Sequence, residues 1–294
     1  MSLARAISTA LLVAALVFGT ASDVSLPNPP FMLGGFRVLE VDFHAHAFPL
    51  SWAPLSPWNL VLEARRQHLD AIAITGHNHV WVAKVGRWFS QLAGGPTALV
   101  GEEIVSPDYH LLAIGISDPI DWRQTAAGAI DHIHRQGGIA IAAHPGTQFW
   151  PAYDAAAVSR LDGTEVLHPM IYAAPDAYGP FQEFYRRTHA AAIGDSDYHG
   201  IGPLGMCRTY VFASENSAPA ILEAIRARRT VVWDRDGHAY GDPALISLTT
   251  QDKAFARMKA RAETPDQGWM VRVGGLCGIL GLLGLFIFRR NPKL

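Results

Sequence analysis

The sequence predicts an α/β fold in which a parallel sheet or barrel is covered by helices. Short apolar segments alternate with amphipathic segments through the middle of the 294-residue chain, which is the order expected of consecutive strand–helix units. The apolar segments are continuous runs without polar alternation, which indicates strands that are buried on both faces. With 49% hydrophobic residues, the chain can form one large domain or two small ones.

The predicted elements follow one another in a regular order. A strand over 36–43 leads through a loop into a helix over 56–68, which begins with a capping serine and a proline. The later strands are predicted over 70–75, 97–105, 109–116, 138–145, 164–168, 190–197 and 230–234. The later helices are predicted over 79–93, 122–137, 152–160, 180–189 and 217–229.

The net charge and the cysteines limit the class of protein. A formal net charge of -2 argues against a protein that coats nucleic acid, although it leaves open an enzyme that cuts it. The two cysteines are Cys207 and Cys277, and Cys277 lies in a very apolar segment. No disulfide framework is therefore expected.

The two ends of the chain have the composition of targeting segments. Residues 1–21 combine a positive start, an apolar run and the small residues Gly19 and Ala21, which predicts a signal peptide or an uncleaved membrane anchor. Residues 269–288 are mostly apolar, and twenty residues at about 1.5 Å each would just cross about 30 Å of hydrocarbon. We therefore expect a transmembrane helix there, preceded by a charged spacer over 251–268.

These segments together predict a membrane-anchored protein. The folded domain, residues 37–250, would face the periplasm or the exterior, and Arg289 and Arg290 would stay inside. Five cationic residues before the apolar segment weaken this orientation, so it depends mainly on the N-terminal segment. The membrane would then be a partner through the C-terminal helix, and the oligomeric state is left open.

A pair of histidines raises the possibility of a metal site. In "LEVDFHAHAF", residues 39–48, His44 and His46 stand two residues apart at the end of a predicted strand. Side chains two apart on a strand point to the same face, so both imidazoles would project together. Taken alone, the pair fits either a metal site or two partly buried polar residues at a strand end.

Similar side chains stand at the ends of the other predicted strands. In barrels and open α/β folds the carboxyl ends of the strands carry the functional site. His110 begins its strand, so that strand must run the other way or follow a tight turn to reach the same rim. Because histidines and carboxylates stand at strand ends in five separate segments, the sequence predicts a metal centre. The candidate ligands are His44, His46, His77, Glu103, His110, His144, Asp197 and His199.

The order of these motifs resembles the PHP superfamily of metal-dependent hydrolases, named for polymerase and histidinol phosphatase. The motifs are "DFHAH", "AIAITGHN", "GEEI", "HLLAIGI", "IAAHP" and "GDSDYHG", within about residues 37 to 250. The later "ILEAIRARRTVVW" and "GDP" are similar to the carbaryl-hydrolase-like branch. The resemblance implies a distorted (β/α)7 barrel that hydrolyses phosphoesters in most members and amides or carbamates in some.

The resemblance also implies a place for each ligand. The first metal site is matched by His44, His46, Glu103 and Asp197. The second shares a bridging Glu103 and adds His110 and His144. The third is matched by His77 and His199.

Two departures from the family pattern concern the third metal. The carboxylate expected soon after the paired histidines is missing from "AFPLSW", residues 47–52, and Gly76 replaces the aspartate expected before His77. His79 or Asp154 could compensate. We therefore expect two tightly held ions and a weak or empty third position.

The ligand types suit two or three divalent ions of zinc, manganese or iron. A hydroxide between two bridged ions would attack the substrate, and Asp197 would orient it or accept its proton. If His199 holds no third ion, it is a candidate to donate a proton to the leaving group. Asp42 would support the site from behind. We expect a membrane-tethered phosphoesterase acting on a small molecule or phosphoester, with nucleic acid not excluded. Amide or carbamate hydrolysis by the same centre and a non-catalytic metal-binding module remain alternatives.

The sequence says less about the substrate pocket. Residues 167–187, which include His168, could wall a pocket or pack on the barrel as an ordinary loop and helix, and packing is favoured. Arg186, Arg187 or Arg208 could bind a phosphate, but none is assigned.

Overall fold

The computed structural model describes residues 3–22, 28–49, 51–173, 178–200, 202–263 and 269–288. Its contacts divide the chain into two units. One unit contains the two terminal helices, α1 (Leu3–Ser22) and α11 (Trp269–Ile287), and the other contains the elements between them.

Within the terminal unit, α1 and α11 pack closely against each other. A Cβ atom added to Gly281 would lie 2.8 Å from Cγ of Leu12, and one added to Gly284 would meet the side chain of Ser8. The glycines of α11 therefore form the contact surface for α1. Helix α1 covers most of residues 1–21, the predicted signal peptide or anchor. The presence of a helix there does not support that prediction.

None of the helices that the structure describes combines the length and the hydropathy that crossing a bilayer requires. The predicted transmembrane helix over 269–288 is therefore wrong. So are the membrane anchoring and the periplasmic or exterior placement that depended on it. The physical reason lies in composition, because glycine fills five of the 19 positions of α11 and contributes little apolar surface.

The main unit alternates strands and helices. It begins with the short strand β1 (Met32–Leu33) and the long strand β2 (Phe36–Ala45). The elements that follow are, in order, α2 (Pro57–Arg66), β3 (Ala71–His77), α3 (Trp81–Ala93), β4 (Thr97–Val105), β5 (His110–Ile114), α4 (Ala126–Arg135), β6 (Ile139–Ala142), a 3₁₀ helix (Thr147–Ala152), α5 (Ala155–Val158), β7 (Gly163–Leu167), α6 (Pro169–Ala173), α7 (Tyr178–Thr188), β8 (Ala191–Gly194), β9 (Thr209–Ala213), α8 (Ala218–Arg226), β10 (Thr230–Trp233), β11 (Ala239–Gly241), α9 (Pro243–Gln251) and α10 (Lys253–Glu263).

The strands form one 11-stranded sheet in the order β11-β10-β9-β2-β3-β4-β5-β6-β7-β8, with β1 beside β2. Strands β2 to β4 are parallel, as are β6 to β8, but β5 runs antiparallel to both of its neighbours and β9 runs antiparallel to β2. The sheet curls until the Thr209 hydroxyl of β9 donates to the carbonyl oxygen of Gly194 in β8 at 2.8 Å. The predicted α/β barrel is therefore confirmed as a nearly closed barrel, with a mixed rather than an all-parallel sheet.

Apolar side chains from the strands fill the barrel. Val41 and Phe43 of β2 pack with Ile141 of β6, and Ile221 and Ile225 of α8 join the same buried cluster. Strands buried on both faces explain the continuous apolar runs of the sequence. Outside the barrel, residues predicted as a spacer form α10, which packs through the buried Phe255.

Candidate metal centre

The eight predicted ligands lie together at one end of the barrel. Since β5 is antiparallel to β4 and β6, its first residue, His110, lies beside the carboxyl ends of the parallel strands, as the sequence predicted. The ligand atoms fall into three groups, each within 4.8 Å: His44, His46, Glu103 and Asp197; Glu103, His110 and His144; and His46, His77 and His199.

The first group is buried at the centre of this end. Nε2 of His44 lies 3.0 Å from Nε2 of His46, and Oδ1 of Asp197 lies 3.2 and 3.0 Å from the same two nitrogens. The side chains of His44 and His46 have no exposed surface. Two buried imidazole nitrogens that face each other beside carboxylate oxygens suit a cation between them.

Glu103 connects the first group to the second. Its Oε2 lies 3.3 Å from Nε2 of His44, whereas its Oε1 lies 2.8 Å from Nδ1 of His110 and 3.1 Å from Nε2 of His144. The two oxygens of one carboxylate thus face two separate sets of imidazoles. This is the geometry required of a carboxylate that bridges two ions.

The third group consists of three imidazoles. The ring centroid of His46 lies 4.5 Å from that of His77 and 4.0 Å from that of His199. His77 and His199 expose 32% and 27% of their side chains, so this group forms the open side of the centre. Among the residues that the structure describes, the group adds no carboxylate beyond Glu103, 3.2 Å from His77, and Asp197, 3.3 Å from His199, which agrees with the two departures seen in the sequence.

The backbone that carries two of these ligands has a conformation that most residues avoid. His144 has a φ angle of 28° and Asp197 one of 40°, and for residues other than glycine such angles are strained and concentrate at functional sites. Asp42 supports the turn at Asp197, because its carboxylate accepts the backbone N–H of Ser196 at 3.1 Å and that of Gly205 at 2.9 Å. Asp42 thus lies behind the ligands, as expected.

The two carboxylates of the first group are anionic despite their burial. Burial opposes the ionisation of Glu103, but the charge of His44 and the hydrogen bonds with His110 and His144 outweigh it, so the pKa of Glu103 lies well below its usual value. The pKa of Asp197 is lowered likewise, since His44 and the hydrogen bond from His168 outweigh burial. Anionic carboxylates are the form that binds cations.

The two central histidines differ in their protonation. Burial disfavours the charged form of both. For His44 the charges of Asp197 and Glu103 overcome burial and raise the pKa well above its usual value, whereas for His46 burial prevails and lowers the pKa to about 4. In the metal-free protein, the proton on His44 supplies the positive charge of this site, so ion binding is expected to release a proton.

Two further residues, Glu165 and His168, support the site, a role that the sequence did not predict for either. Oε1 of Glu165, in β7, lies 2.9 Å from Nδ1 of His44, and its Oε2 accepts the backbone N–H of His144 at 2.5 Å. A carboxylate behind a ligating imidazole fixes its orientation and increases its basicity. A charged residue in the otherwise buried strand "GTEVL" was the signal that could have identified Glu165.

His168 is the second supporting residue. Its Nδ1 accepts the backbone N–H of Met170 at 3.1 Å, so a neutral ring carries its proton on Nε2, which lies 3.3 Å from Oδ2 of Asp197. Oδ1 of Asp197 is thereby left to face His44 and His46. The neighbouring Phe181 packs in an apolar cluster, as the preferred interpretation of residues 167–187 expected.

Asp154 and Arg208, which the sequence offered as candidates, and Glu102, the neighbour of Glu103, have other contacts. The backbone N–H of Ile120 donates to Glu102 at 2.5 Å, and Asp154 caps α5 through the N–H of Ala157 at 2.8 Å. Arg208 is buried against Glu40, with 2.9 Å between Nη1 and Oε1. None of the three lies in a candidate ion-binding group of the described residues.

His79 occupies the place of the side chain that Gly76 lacks. A Cβ atom on Gly76 would nearly coincide with the His79 ring, and Trp81 stacks on that ring with centroids 5.8 Å apart. His79 belongs to none of the three groups of ligands among the described residues. It therefore fills the space of the missing aspartate without joining the metal centre.

Comparisons with known proteins bear on the fold. No family model matches the chain. A curated relative, an uncharacterized protein of Methanocaldococcus jannaschii, is 28% identical over 117 residues, and the match spans 38% of this chain and 66% of the relative, less than two thirds of its length.

Two solved structures are also similar. One is a two-domain protein of Bacteroides vulgatus containing a predicted PHP-like metal-dependent phosphoesterase, with a TM-score of 0.56, 24% identity and coverage of 71% of this chain and 68% of that chain. The other, a candidate metal-dependent phosphoesterase of Bifidobacterium adolescentis, has a TM-score of 0.47, 18% identity and coverage of 67% and 97%. The first likeness shows that this chain shares its fold with a PHP-like protein, as its motifs predicted. Neither structure bears on the carbaryl-hydrolase-like branch.

Proposed function

We propose that the protein is a metal-dependent phosphoesterase. The observation that carries this proposal is the position of Glu103, whose two oxygens face two sets of imidazoles. Ions held on both sides of Glu103 would supply an activated water and positive charge at the oxygens of the substrate. The likeness to a PHP-like fold supports the proposal by analogy only.

The arrangement of three groups favours a phosphoester over an amide. In phosphoryl transfer, negative charge spreads over three equatorial oxygens, whereas attack on an amide develops charge on one oxygen. Three ligand groups around one centre can place positive charge near more than one oxygen. Amide or carbamate hydrolysis is therefore the second candidate.

Two residues of the chain are assigned to proton transfer. Asp197, anionic and held by His168, would orient the attacking water or accept its proton. His199 lies on the open side, and although burial opposes its protonation, the hydrogen bond and charge of Asp197 raise its pKa. A protonated His199 would donate to the leaving group.

A panel of chromogenic substrates tests the proposal. The protein, loaded with zinc, manganese or iron in turn, is offered nitrophenyl phosphate, bis-nitrophenyl phosphate, a nitrophenyl carbamate and a nitroanilide. We expect metal-dependent cleavage of a phosphate substrate that stops when a chelator is added. Cleavage of the carbamate or anilide alone would assign the second candidate function, and ion binding with no cleavage would indicate a non-catalytic module.

A further inference from the structure

His110 is a candidate ligand at the very start of a strand. It is the first residue of β5, and its side chain is 23% exposed. Strand ends lack part of the hydrogen bonding that fixes strand interiors. A ligand at such a position needs support from outside its own strand.

Three aromatic residues lie around this position, and two of them contact His110. The ring of Phe149 stacks on the ring of His110, with centroids 4.9 Å apart and an interplanar angle of 25°, and the hydroxyl of Tyr153 donates to the backbone carbonyl of His110. Between them, Nε1 of Trp150 donates to the carbonyl oxygen of Pro145 at 3.0 Å, next to the ligand His144. We call Phe149, Trp150 and Tyr153 the aromatic strap.

The aromatic strap also packs against α7 through Tyr153 and Trp150. Tyr153 is buried, and its ring lies edge-on to Phe184 with centroids 5.2 Å apart and to Tyr109 at 6.2 Å. Trp150 also packs near Phe184, at 6.2 Å. The strap therefore joins His110 to the core beneath α7 rather than to solvent.

We propose that the aromatic strap positions His110 and thereby sets the ion affinity of the group formed by Glu103, His110 and His144. Phe149 fixes the plane of the imidazole and Tyr153 fixes its backbone, so neither has to be ordered when the ion binds. Among the aromatic and hydrogen-bond contacts of Phe149, Trp150 and Tyr153, none reaches His44 or His46. The proposal rests on the proposed metal centre but not on its substrate.

A matched pair of variants tests the role of Tyr153. Both Tyr153→Phe and Tyr109→Phe remove one buried phenol that donates to a backbone carbonyl, that of His110 in the first case and that of Gln124, at 3.0 Å, in the second. Zinc binding to the full chain is followed by competition with a chromogenic chelator, and a His110→Asn variant identifies which binding step belongs to this group. Tyr153→Phe is expected to weaken that step about tenfold or more, the effect typical of residues behind a ligand, and Tyr109→Phe is expected to leave it unchanged.

Variants of Phe149 test the stacking. Phe149→Leu, which keeps apolar volume but loses the ring, is expected to weaken the same binding step. Phe149→Tyr, which keeps the ring, is expected to bind zinc in that step as tightly as the wild type. Equal weakening of all steps, or an effect of Tyr153→Phe no larger than that of Tyr109→Phe, would overturn the proposal. If the wild-type chain bound none of zinc, manganese and iron, the metal centre itself would be refuted before any variant was compared.

Discussion

The inner and outer histidines of the centre are built differently. His44 and His46 are fully buried, whereas His77 and His199 expose about a third of their side chains. Behind the inner pair stand Glu165, 2.9 Å from Nδ1 of His44, and the hydroxyl of Ser51, 3.3 Å from Nδ1 of His46. The inner side is therefore suited to retain ions, and the outer side is suited to meet the substrate.

The difference in charge between the inner and outer ligands determines how many ions the centre should hold. The inner ligands include the anionic Glu103 and Asp197, whereas the outer group adds no carboxylate of its own and only reaches these same two, at 3.2 Å from His77 and 3.3 Å from His199. Neutral imidazoles supply no charge to offset that of a divalent ion. We therefore expect two firmly bound ions near Glu103 and a weak third near His199.

Removing the charge of Glu103 should have the largest effect. Glu103→Gln keeps the size of the side chain but deprives both sets of imidazoles of their shared anion. Ion content after dialysis and turnover on the best phosphate substrate should both fall, turnover by about a thousandfold or more if bridging is essential. Full ion content with normal turnover would refute the bridging role.

The adjacent Glu102 offers a matched control for this variant. Its carboxylate accepts the backbone N–H of Ile120 at 2.5 Å and lies in no group of ligands among the described residues. Glu102→Gln should keep ion content and turnover. An equal loss in both variants would show that general disruption of β4, and not the bridge, explains the first result.

Removing the charge behind the inner pair should have a smaller effect. Glu165→Gln can still contact His44, but it no longer stabilises the charge there, and changes of this kind lower ion affinity about 10- to 100-fold. Chelator competition measures the affinity. Glu63→Gln removes another buried carboxylate, one bonded to Arg66 at 3.2 Å, and should leave ion affinity unchanged.

Changing the outer side should alter ion content least. His77→Asn should leave two ions per chain after dialysis, because the inner ligands remain. Elemental analysis of the wild type and the variant makes the measurement. Three retained ions in the dialysed wild type would mean that some other residue completes the outer group.

The sequence predicted that the candidate ligands would lie together, but it did not predict which residues contact them from behind. Strand-end positions are readable because a rim histidine such as His77 interrupts an apolar run. Glu165 lies inside β7, and a register irregularity between Glu165 and Leu167 changes the pairing there. The face to which Glu165 points thus depends on pairing with β8, which no local pattern specifies.

At the C-terminal end of the chain, a clear local pattern led to a wrong prediction. Length and composition predicted a transmembrane helix over 269–288, yet α11 ends at residue 287 and carries five glycines. A glycine counts as a small residue in a sequence window but contributes little apolar surface. In the structure these glycines instead admit close contact with α1.

The smallest predicted effect concerns Glu102 and pH. Burial raises the pKa of Glu102 from 4.5 to about 7, although the hydrogen bond from Ile120 partly opposes this. Because the pKa is higher in the folded state than in the unfolded state, the folded protein holds this proton more tightly. The resulting stabilisation is complete below about pH 4.5 and is lost as pH rises through about 7.

Comparison with Glu102→Gln isolates this contribution, since glutamine keeps an acceptor for Ile120 but does not titrate. Urea unfolding of both proteins at one fixed free zinc concentration, between pH 4.5 and 8, gives the difference in unfolding free energy. Relative to the variant, the wild type should lose on the order of 3 kcal/mol across this range, at most 1.36 kcal/mol for each pH unit. Parallel stability curves would mean that Glu102 ionises in the folded protein as readily as in water. The contrast between the anionic Glu103 and its protonated neighbour on the other face of β4 would then be lost.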